Sequence, residues 1–401
     1  MLQVHWTFYL ATMSRFHSYI NSAKVLIHQY DGSQPLALFL KNLFSGHKKY
    51  GSKDRKQISH LCYCYCRTGK AFSEFTIDEK ILIGLFLCSN EPNDVLQHLE
   101  PEWNIEVGKS LKEKLSFLGF ENSLTDVFPF IAELSNEIDK EAFIQSFFIQ
   151  PDLFIRIRPG KEKSVLQNLK KAKLKFNVVS ENCISFSNNT KLDDIIELDK
   201  DAVVQDLNSQ QVGKFFGSAL APPLNDKPSV WDCCAASGGK SILLYDINPK
   251  IDLTVSDIRE SILSNLDKRF KKAGIKKYER IVTNLEKPGE EILQKTFDLI
   301  IADVPCTGSG TWSRTPEQLV FFEAGKIDQY NSMQKNIVSN AIAQLNKGGH
   351  FVYITCSVFK KENEAMVDFI QQKHNLTLQR MELLKGYDKK ADSLFIAVFN
   401  S

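Results

Sequence analysis

Strand-like and helix-like segments alternate along the second half of the chain, from residue 201 to residue 401. Seven short segments have the composition of strands, and helical segments separate the first six. They are Val230–Cys233, Leu253–Ser256, Arg280–Thr283, Asp298–Ala302, Phe351–Thr355, Leu376–Met381 and Phe395–Phe399. This alternation predicts an α/β fold with a doubly wound, mostly parallel sheet. Ligands bind such sheets outside the carboxyl ends of the strands, so the residues that follow each strand are the candidates for a functional site.

The residues before this region show two further patterns. Residues 1–148 have apolar residues at helical spacing, which predicts a helical bundle with helices over Pro35–Ser45, Arg55–Cys66 and Glu133–Phe147. Residues 149–200 predict a small α/β module, with a Lys-rich helix at Glu162–Lys173 and strands at Leu153–Arg158, Phe176–Val179 and Cys183–Phe186. We therefore predict three domains, over residues 1–148, 149–200 and 201–401.

The composition excludes several classes of protein. The 50 Lys and Arg residues nearly balance the 48 Asp and Glu residues, so any surface that attracts nucleic acid has to be local. Nine cysteines are too few for a disulfide scaffold, and their odd number leaves a free thiol, which favours the reducing cytoplasm. No apolar run reaches the about 18 residues of a membrane span, so we expect no membrane contact. The stretch before Met13 lacks the charged region of a signal peptide, and we expect the protein to start at Met13.

A run of small residues follows the first predicted strand of the sheet. Asp232–Ser241 reads Asp-Cys-Cys-Ala-Ala-Ser-Gly-Gly-Lys-Ser and leads into a helix. Small residues let a ligand approach the backbone, and a helix N-terminus favours an anionic group. A Walker A loop is disfavoured because Cys234 occupies the position of its first glycine, and a tight turn without a ligand is the other alternative. Asp257, which ends the second strand, either bonds ribose hydroxyls, as in a nucleoside site, or caps the next helix.

Two cysteines follow neighbouring strands. Cys306 lies in the segment Asp303–Gly310 after the fourth strand, and Cys356 follows the fifth strand. A single cysteine at such a place is usually a core residue, but two thiols beside a nucleoside site have a chemical use. A thiolate that adds to carbon 6 of a pyrimidine makes carbon 5 nucleophilic toward a methyl donor; a base then removes the carbon-5 proton and the thiolate leaves. An acid such as Asp303 could hold and protonate the pyrimidine edge.

With these motifs the sequence resembles the RNA cytosine carbon-5 methyltransferases of the Sun (Fmu) or RsmB family. The family's methyl-donor motif, Asp-x-Cys-Ala-Ala-Pro-Gly-Gly-Lys-Thr, corresponds to Asp232–Ser241. Its Asp-Ala-Pro-Cys-Ser-Gly-x-Gly motif corresponds to Asp303–Gly310, and its Thr-Cys-Ser…Glu-Asn-Glu motif to Thr355–Glu364. The resemblance implies a Rossmann-like S-adenosylmethionine-dependent methyltransferase domain, preceded by a small RRM-like module and by an all-α domain similar to the family's NusB-like RNA-binding domain.

The resemblance also implies a role for each matching residue. It implies that Cys356 is the nucleophile, that Cys306 assists product release, and that Lys240 and Asp303 line the target-base pocket. It implies that the cofactor is S-adenosylmethionine, held by Cys234, Ala235, Ala236, Ser237, Gly238, Gly239, Lys240, Asp257, Asn284 and Asp303. We expect a monomer that binds RNA, ribosomal RNA above all, with the target base presented from a single-stranded or extruded segment.

Two positions depart from the family's pattern. Ser237 replaces the usual proline, which should loosen the loop but keep its backbone donors. Asn284 ends the third strand where the family usually has Asp, and an amide can still bond an adenine edge. Because neither change affects the two thiols, we expect the protein to be active.

Other signals carry less weight. Cys62, Cys64 and Cys66 lack the spacing and the His partners of a zinc site, so we expect them to be core residues and expect no metal. Three basic clusters are candidates for phosphate binding, although each is as readily a solvated face: His47–Lys56, Glu162–Lys175 and Lys268–Arg280.

Three alternatives to an RNA methyltransferase stay open. A non-catalytic RNA-binding assembly factor could share the fold, but it would have no need of Cys306 and Cys356. A P-loop nucleotide hydrolase is disfavoured by Cys234. A DNA substrate is less expected than RNA because of the NusB-like N-terminus and the cysteine of the Thr-Cys-Ser motif.

Overall fold

The chain divides into two compact units. The computed structural model describes residues 2–46, 49–121, 124–219, 227–287 and 295–401, so Lys48 of the first basic cluster lies outside the described residues. The first unit consists of Met1–Ala132, Asp139–Gln150 and Trp312–Glu323. The second consists of Glu133–Ile138, Pro151–Thr311 and Ala324–Ser401. The predicted division into three domains at residues 148 and 200 stays a prediction.

The first unit is helical. Its helices are α1 (Leu2–Gln29), α2 (Leu36–Gly46), α3 (Ser52–Arg67), α4 (Ile77–Cys88), α5 (Asp94–Leu99), α6 (Pro101–Glu106), α7 (Leu111–Phe117), α8 (Leu124–Val127) and α9 (Lys140–Ser146). The two predicted helices that correspond to α2 and α3 are confirmed. Cys62, Cys64 and Cys66 of α3 are each at most 2% exposed and belong to the core of this unit. A likeness to NusB stays a prediction.

The helix predicted over residues 133–147 is wrong in its first half. Only Lys140–Ser146 is helical there, because the Asp139 side chain accepts a hydrogen bond from the Ala142 N–H at 3.0 Å and caps the helix at that point. The preceding segment, Glu133–Ile138, belongs to the second unit, where the Ser135 N–H donates to the Val358 carbonyl at 2.8 Å. Its apolar residues at helical spacing are therefore buried by an extended segment.

A small antiparallel sheet begins the second unit. Its strands are β1 (Leu153–Ile157), β2 (Asn177–Ser180), β3 (Cys183–Phe186) and β4 (Ala202–Val204), in the order β2-β3-β1-β4, and its helix is α10 (Glu162–Lys171). The three strands and the helix predicted here are confirmed. The sheet also takes β4 from residues beyond 200, because this three-residue strand pairs with β1. Ile155, Val165 and Leu169 form its core against α10.

The large sheet contains all seven predicted strands. They are β5 (Ser229–Asp232), β6 (Asp252–Asp257), β7 (Glu279–Val282), β8 (Phe297–Asp303), β9 (Leu345–Thr355), β10 (Thr377–Leu384) and β11 (Leu394–Asn400). Their order is β10-β11-β9-β8-β5-β6-β7, and only β11 runs antiparallel to its neighbours among these strands. The remaining helices are α11 (Leu207–Gln211), α12 (Gly213–Ala219), α13 (Gly239–Ile247), α14 (Glu260–Ala273), α15 (Glu317–Phe321, in the first unit), α16 (Gly325–Ile342) and α17 (Glu364–His374). The predicted doubly wound, Rossmann-like fold is confirmed.

The strand order determines where a ligand can bind. From β5 the chain proceeds outward to β6 and β7, and it then returns to the other side of β5 with β8. The order thus reverses between β5 and β8, and a crevice forms outside their carboxyl ends. Asp232 ends β5 and Asp303 ends β8, so these two carboxylates flank the switch point. None of the helices in the described ranges is both long and apolar enough to cross a membrane.

Candidate active site

The loop between β5 and α13 requires glycine at one position. Gly238 has φ +81°, and a Cβ at this residue would lie 2.6 Å from a ring carbon of Phe270. Its N–H donates to the Ala235 carbonyl at 2.8 Å, and its carbonyl accepts the first bond of the helix from Ile242 at 2.9 Å. The loop therefore packs directly on α14, and only a residue without a side chain allows this approach.

Asp257 supports this loop from the end of β6. Its Oδ2 accepts a hydrogen bond from the Ala236 N–H at 3.1 Å, and its Oδ1 accepts one from the Arg259 N–H at 2.9 Å. Burial would raise the pKa of Asp257, but the hydrogen bonds from Arg259 outweigh it, so the pKa is lowered. The carboxylate is ionised, and it orders the loop as well as the start of the next helical segment.

Ser237, which replaces the family's proline, has a hydrogen-bond partner of its own. One guanidinium nitrogen of Arg269 donates to both the carbonyl and the hydroxyl of Ser237, each at 2.9 Å. The same guanidinium pairs with Asp199 at 2.8 Å. The loop is thus held by a side chain that sequence reasoning assigned only to a basic cluster, and the expected loosening is opposed by these bonds.

An ion pair lies at the switch point. The Lys240 ammonium contacts an Asp303 oxygen at 2.5 Å, and the Lys240 side chain is 14% exposed. Burial would lower the pKa of Lys240, but the charge of Asp303 and its hydrogen bond raise it overall. Lys240 therefore carries its positive charge at neutral pH. It stands beside the carboxylate that the family resemblance assigns to the target base.

A second carboxylate, Asp232, lies deeper in the same crevice. The Ser241 hydroxyl donates to its Oδ2 at 2.5 Å, whereas its Oδ1 has no hydrogen-bond partner among the described residues. Burial raises the pKa of Asp232 to about 7, although the bond from Ser241 opposes this. Asp232 is therefore a carboxyl group that can change its protonation near neutral pH.

The two cysteines face one another. The sulfur atoms of Cys306 and Cys356 are 3.3 Å apart, and both residues are partly exposed. The hydrogen bond with Cys356, followed by burial, raises the pKa of Cys306 well above its ordinary value. Cys306 is consequently protonated at neutral pH, and it donates its S–H to Cys356. The two thiols are chemically unequal, and Cys356 is the acceptor.

A cavity of about 310 Å³ brings most of these residues together. The predicted site residues that line it are Ala235, Ala236, Ser237, Gly239, Lys240, Asp303 and Cys356. Other predicted residues do not line it, namely Cys234, Gly238, Asp257, Asn284 and Cys306. Of these, Gly238 and Asp257 support the loop, and Cys306 contacts Cys356. Asn284 is exposed, and its side-chain oxygen accepts a hydrogen bond from the Glu286 N–H at 3.0 Å, so its contact with a cofactor stays a prediction.

Sequence reasoning gave no site role to several residues of this cavity. Gln205, Asp206, Ser209, Arg269 and Asp392 line it as well. Asp206 links two of them, because its Oδ2 accepts a hydrogen bond from the Asp392 N–H at 3.0 Å. The only signal in the sequence was that Asp206 and Asp392 fall in segments that fit the family's pattern. In the part of the chain that the structure describes, no group of His, Cys, Asp and Glu side chains is arranged to hold a metal ion.

Residues 218–395 match the family model described as 16S rRNA methyltransferase RsmB/F. This stretch belongs to the RsmB/F methyltransferase family. The RsmB/F domain of this chain is 32% identical over 151 residues to ribosomal RNA small subunit methyltransferase B of Enterobacter sp. (strain 638), an alignment that includes 37% of this chain and 35% of that protein. The chain thus covers somewhat more than a third of the length of the curated relatives it matches.

Solved structures with the same fold extend beyond the RsmB/F domain. The structure of PH0851 aligns with 96% of this chain and 98% of its own, with a TM-score of 0.68 and 16% identity. The structure of NSun6 from Pyrococcus horikoshii with SFG aligns with 68% of this chain and 96% of its own, with a TM-score of 0.56 and 15% identity. At these identities the likeness concerns the fold alone.

Proposed function

We propose that this protein is an S-adenosylmethionine-dependent RNA methyltransferase that forms 5-methylcytosine, with small-subunit ribosomal RNA as its substrate. The observation that carries the proposal is the pair of cysteine sulfurs 3.3 Å apart, one of which lines the cavity beside Lys240 and Asp303. A carbon-5 methyl transfer needs one thiol that adds and a second group that assists elimination. A non-catalytic assembly factor would need neither thiol.

The cofactor would bind in the crevice at the switch point. The loop of residues 234–240, with Asp257 and Asp303, is our proposed site for S-adenosylmethionine, and the family name of the matching domain supports it. NSun6, a protein of the same fold, was solved with SFG, an analogue of S-adenosylmethionine. The methyl donor supplies an electrophilic methyl group, and the residues of this chain bind it and hold the base against it.

The two thiols would act in sequence. In the resting protein the sulfur of Cys356 accepts the hydrogen bond from Cys306 and is the one open to the cavity, so it adds to carbon 6 of the cytosine. After addition, the Cys356 sulfur is bonded to carbon and can no longer stabilise the Cys306 proton. The chief cause of the raised pKa of Cys306 is then removed. Cys306 can therefore lose its proton to solvent and take the carbon-5 proton, after which Cys356 leaves as a thiolate.

RNA would be held in part by exposed lysines. Lys163, Lys170, Lys171, Lys173 and Lys175 of the second basic cluster are all exposed. In the third cluster, Arg269 pairs with Asp199 and Arg280 with Glu260, so these two arginines are already engaged within the protein. The lysines of the second cluster are thus the better candidates for phosphate contacts.

The test is a comparison of two alanine variants. Cys356→Ala should give no methylation and no covalent RNA, because the first bond to carbon 6 cannot form. Cys306→Ala should accumulate an enzyme–RNA adduct that survives denaturing electrophoresis and that forms only with S-adenosylmethionine present. Cys88→Ala, at a partly exposed cysteine of the helical unit, is the matched control and should methylate as the wild type does.

Three outcomes would contradict parts of this proposal. An adduct in Cys356→Ala and not in Cys306→Ala would reverse the roles of the two thiols. Unchanged methylation in both variants would refute the thiol mechanism. A wild-type protein that binds the methyl donor and RNA but transfers no methyl group would instead favour a non-catalytic RNA-binding factor.

A further inference from the structure

A buried carboxylate that has no role in the mechanism above contacts both cysteine loops. Glu362 is 0% exposed, and its two oxygens accept four hydrogen bonds. Oε1 accepts from the Thr307 N–H at 3.0 Å and from Gln334 Nε2 at 2.8 Å. Oε2 accepts from the hydroxyls of Thr307 at 2.6 Å and of Ser357 at 2.5 Å. Thr307 follows Cys306 and Ser357 follows Cys356, so one carboxylate contacts the residue after each cysteine.

Further hydrogen bonds join the same two loops. The Gly310 N–H donates to the Cys356 carbonyl at 2.8 Å, and the Val358 N–H donates to the Ser309 hydroxyl at 2.9 Å. Gln334 is itself 0% exposed, and its Nε2 also donates to the Pro305 carbonyl at 2.9 Å. Glu362 therefore lies at the centre of a buried polar network that spans both loops, and each of its four bonds comes from a neutral donor.

Such a network is costly to build for stability alone. Burial of a carboxylate without a cation carries a desolvation penalty, which hydrogen bonds offset only in good geometry. Burial raises the pKa of Glu362, and the bonds from Ser357, Thr307 and Gln334 oppose that rise. Apolar side chains could fill the same volume without this penalty, but they would not set the direction in which each loop presents its thiol.

We propose that Glu362 is a positioning residue that sets the separation of the Cys306 and Cys356 sulfur atoms by binding the residue after each of them. The inference deepens the proposed function, because the separation matters only if both thiols act on one base. The separation itself can be measured on the protein without methyl donor or RNA, so the two ideas can fail independently.

The experiment uses dibromobimane, which becomes fluorescent only when two neighbouring thiols have displaced both of its bromides. Wild-type protein should become fluorescent, and neither Cys306→Ala nor Cys356→Ala should do so at the same rate. Glu362→Ala should slow the cross-link about tenfold, the order of effect of losing buried hydrogen bonds. Glu362→Gln should restore most of the rate, since the hydroxyls of Thr307 and Ser357 can accept from its amide as well as donate.

A matched control lies two residues along the chain. Glu364 is partly exposed and accepts a hydrogen bond from Ser135 at 2.8 Å, so Glu364→Ala should cross-link as the wild type does. If Glu362→Ala fails to fold, as judged by its far-ultraviolet circular dichroism, Thr307→Val removes one of the four bonds and should slow the cross-link in the same direction. An unchanged cross-linking rate in a folded Glu362 or Thr307 variant, or no cross-link in the wild type, would overturn the proposal.

The kinetic readout separates positioning from binding. Glu362→Ala should reduce kcat by about a hundredfold, as expected when a reacting group is displaced by about 1 Å, and should leave the KM for S-adenosylmethionine unchanged. Equal changes in kcat and KM would contradict a positioning role. If the wild type cross-links as expected and yet methylates no RNA, the proposed function fails while the role of Glu362 in thiol geometry stands.

Discussion

The loss of Asp246 should be among the most destabilising single changes in the second unit. Asp246, in α13, pairs with Arg156 at 2.6 Å and with Arg158 at 2.7 Å. The exposed fractions of the three side chains are 6%, 7% and 12%. Asp246→Ala would leave two buried guanidinium groups without their counter-charge. Breaking a buried ion pair by removing one partner costs about 3 to 5 kcal/mol, which is the expected loss in the free energy of unfolding.

The same change should reach the cavity. Arg156 Nε also donates to Gln205 Oε1 at 2.9 Å, and Gln205 lines the cavity. If Arg156 is displaced when its carboxylate partner is lost, Gln205 loses a hydrogen bond as well. We therefore expect Asp246→Ala to weaken the binding of S-adenosylmethionine in addition to lowering stability.

Urea unfolding followed by far-ultraviolet circular dichroism measures the loss of stability. The matched control is Asp252→Ala, which removes a carboxylate with a 49% exposed side chain that pairs with Lys295 at 3.0 Å. An exposed pair contributes about 0 to 1 kcal/mol, so the control should unfold nearly as the wild type does. Equal losses for the two variants, or a loss below about 1 kcal/mol for Asp246→Ala, would refute the reasoning from burial.

Three further predictions concern the loop, the buried carboxyl group and RNA. Ser237→Ala should weaken S-adenosylmethionine binding by about 0.5 to 1.5 kcal/mol, because it removes the hydroxyl contact with Arg269, and calorimetry would measure it. Because the pKa of Asp232 is raised to about 7, the native state retains a proton that the unfolded chain releases near pH 4, so this residue lowers stability as pH rises between those values. Asp232→Asn should therefore unfold with a weaker pH dependence across that window, and an unchanged dependence in urea titrations would contradict it. Neutralising Lys170, Lys171 and Lys173 together should reduce the slope of log affinity for RNA against log salt by about 2 if each contacts one phosphate, whereas an unchanged slope would mean a solvated face.

Much of the fold could be predicted from local sequence patterns. Strands such as Phe297–Asp303 are continuous apolar segments between helical ones, and their type depends mainly on residues close in the chain. The glycine at 238 and the cysteines at 306 and 356 were identified for the same reason, since each lies in a short motif directly after a strand. The helix predicted across residues 133–147 failed because Glu133–Ile138 pairs with a distant segment, which periodicity cannot detect.

Only the tertiary structure decided which residues meet. The order of strands places β8 next to β5, and this pairing between segments far apart in the chain brings Asp303 to Lys240 and sets Cys306 facing Cys356. In the same way, Arg269 reaches Ser237, and Glu362 receives bonds from both cysteine loops. The sequence by itself determined the elements and the chemistry that each strand end carries, because these depend on neighbouring residues. The distances, burial and protonation of those groups depend on long-range packing, and the sequence contained no local signal for them.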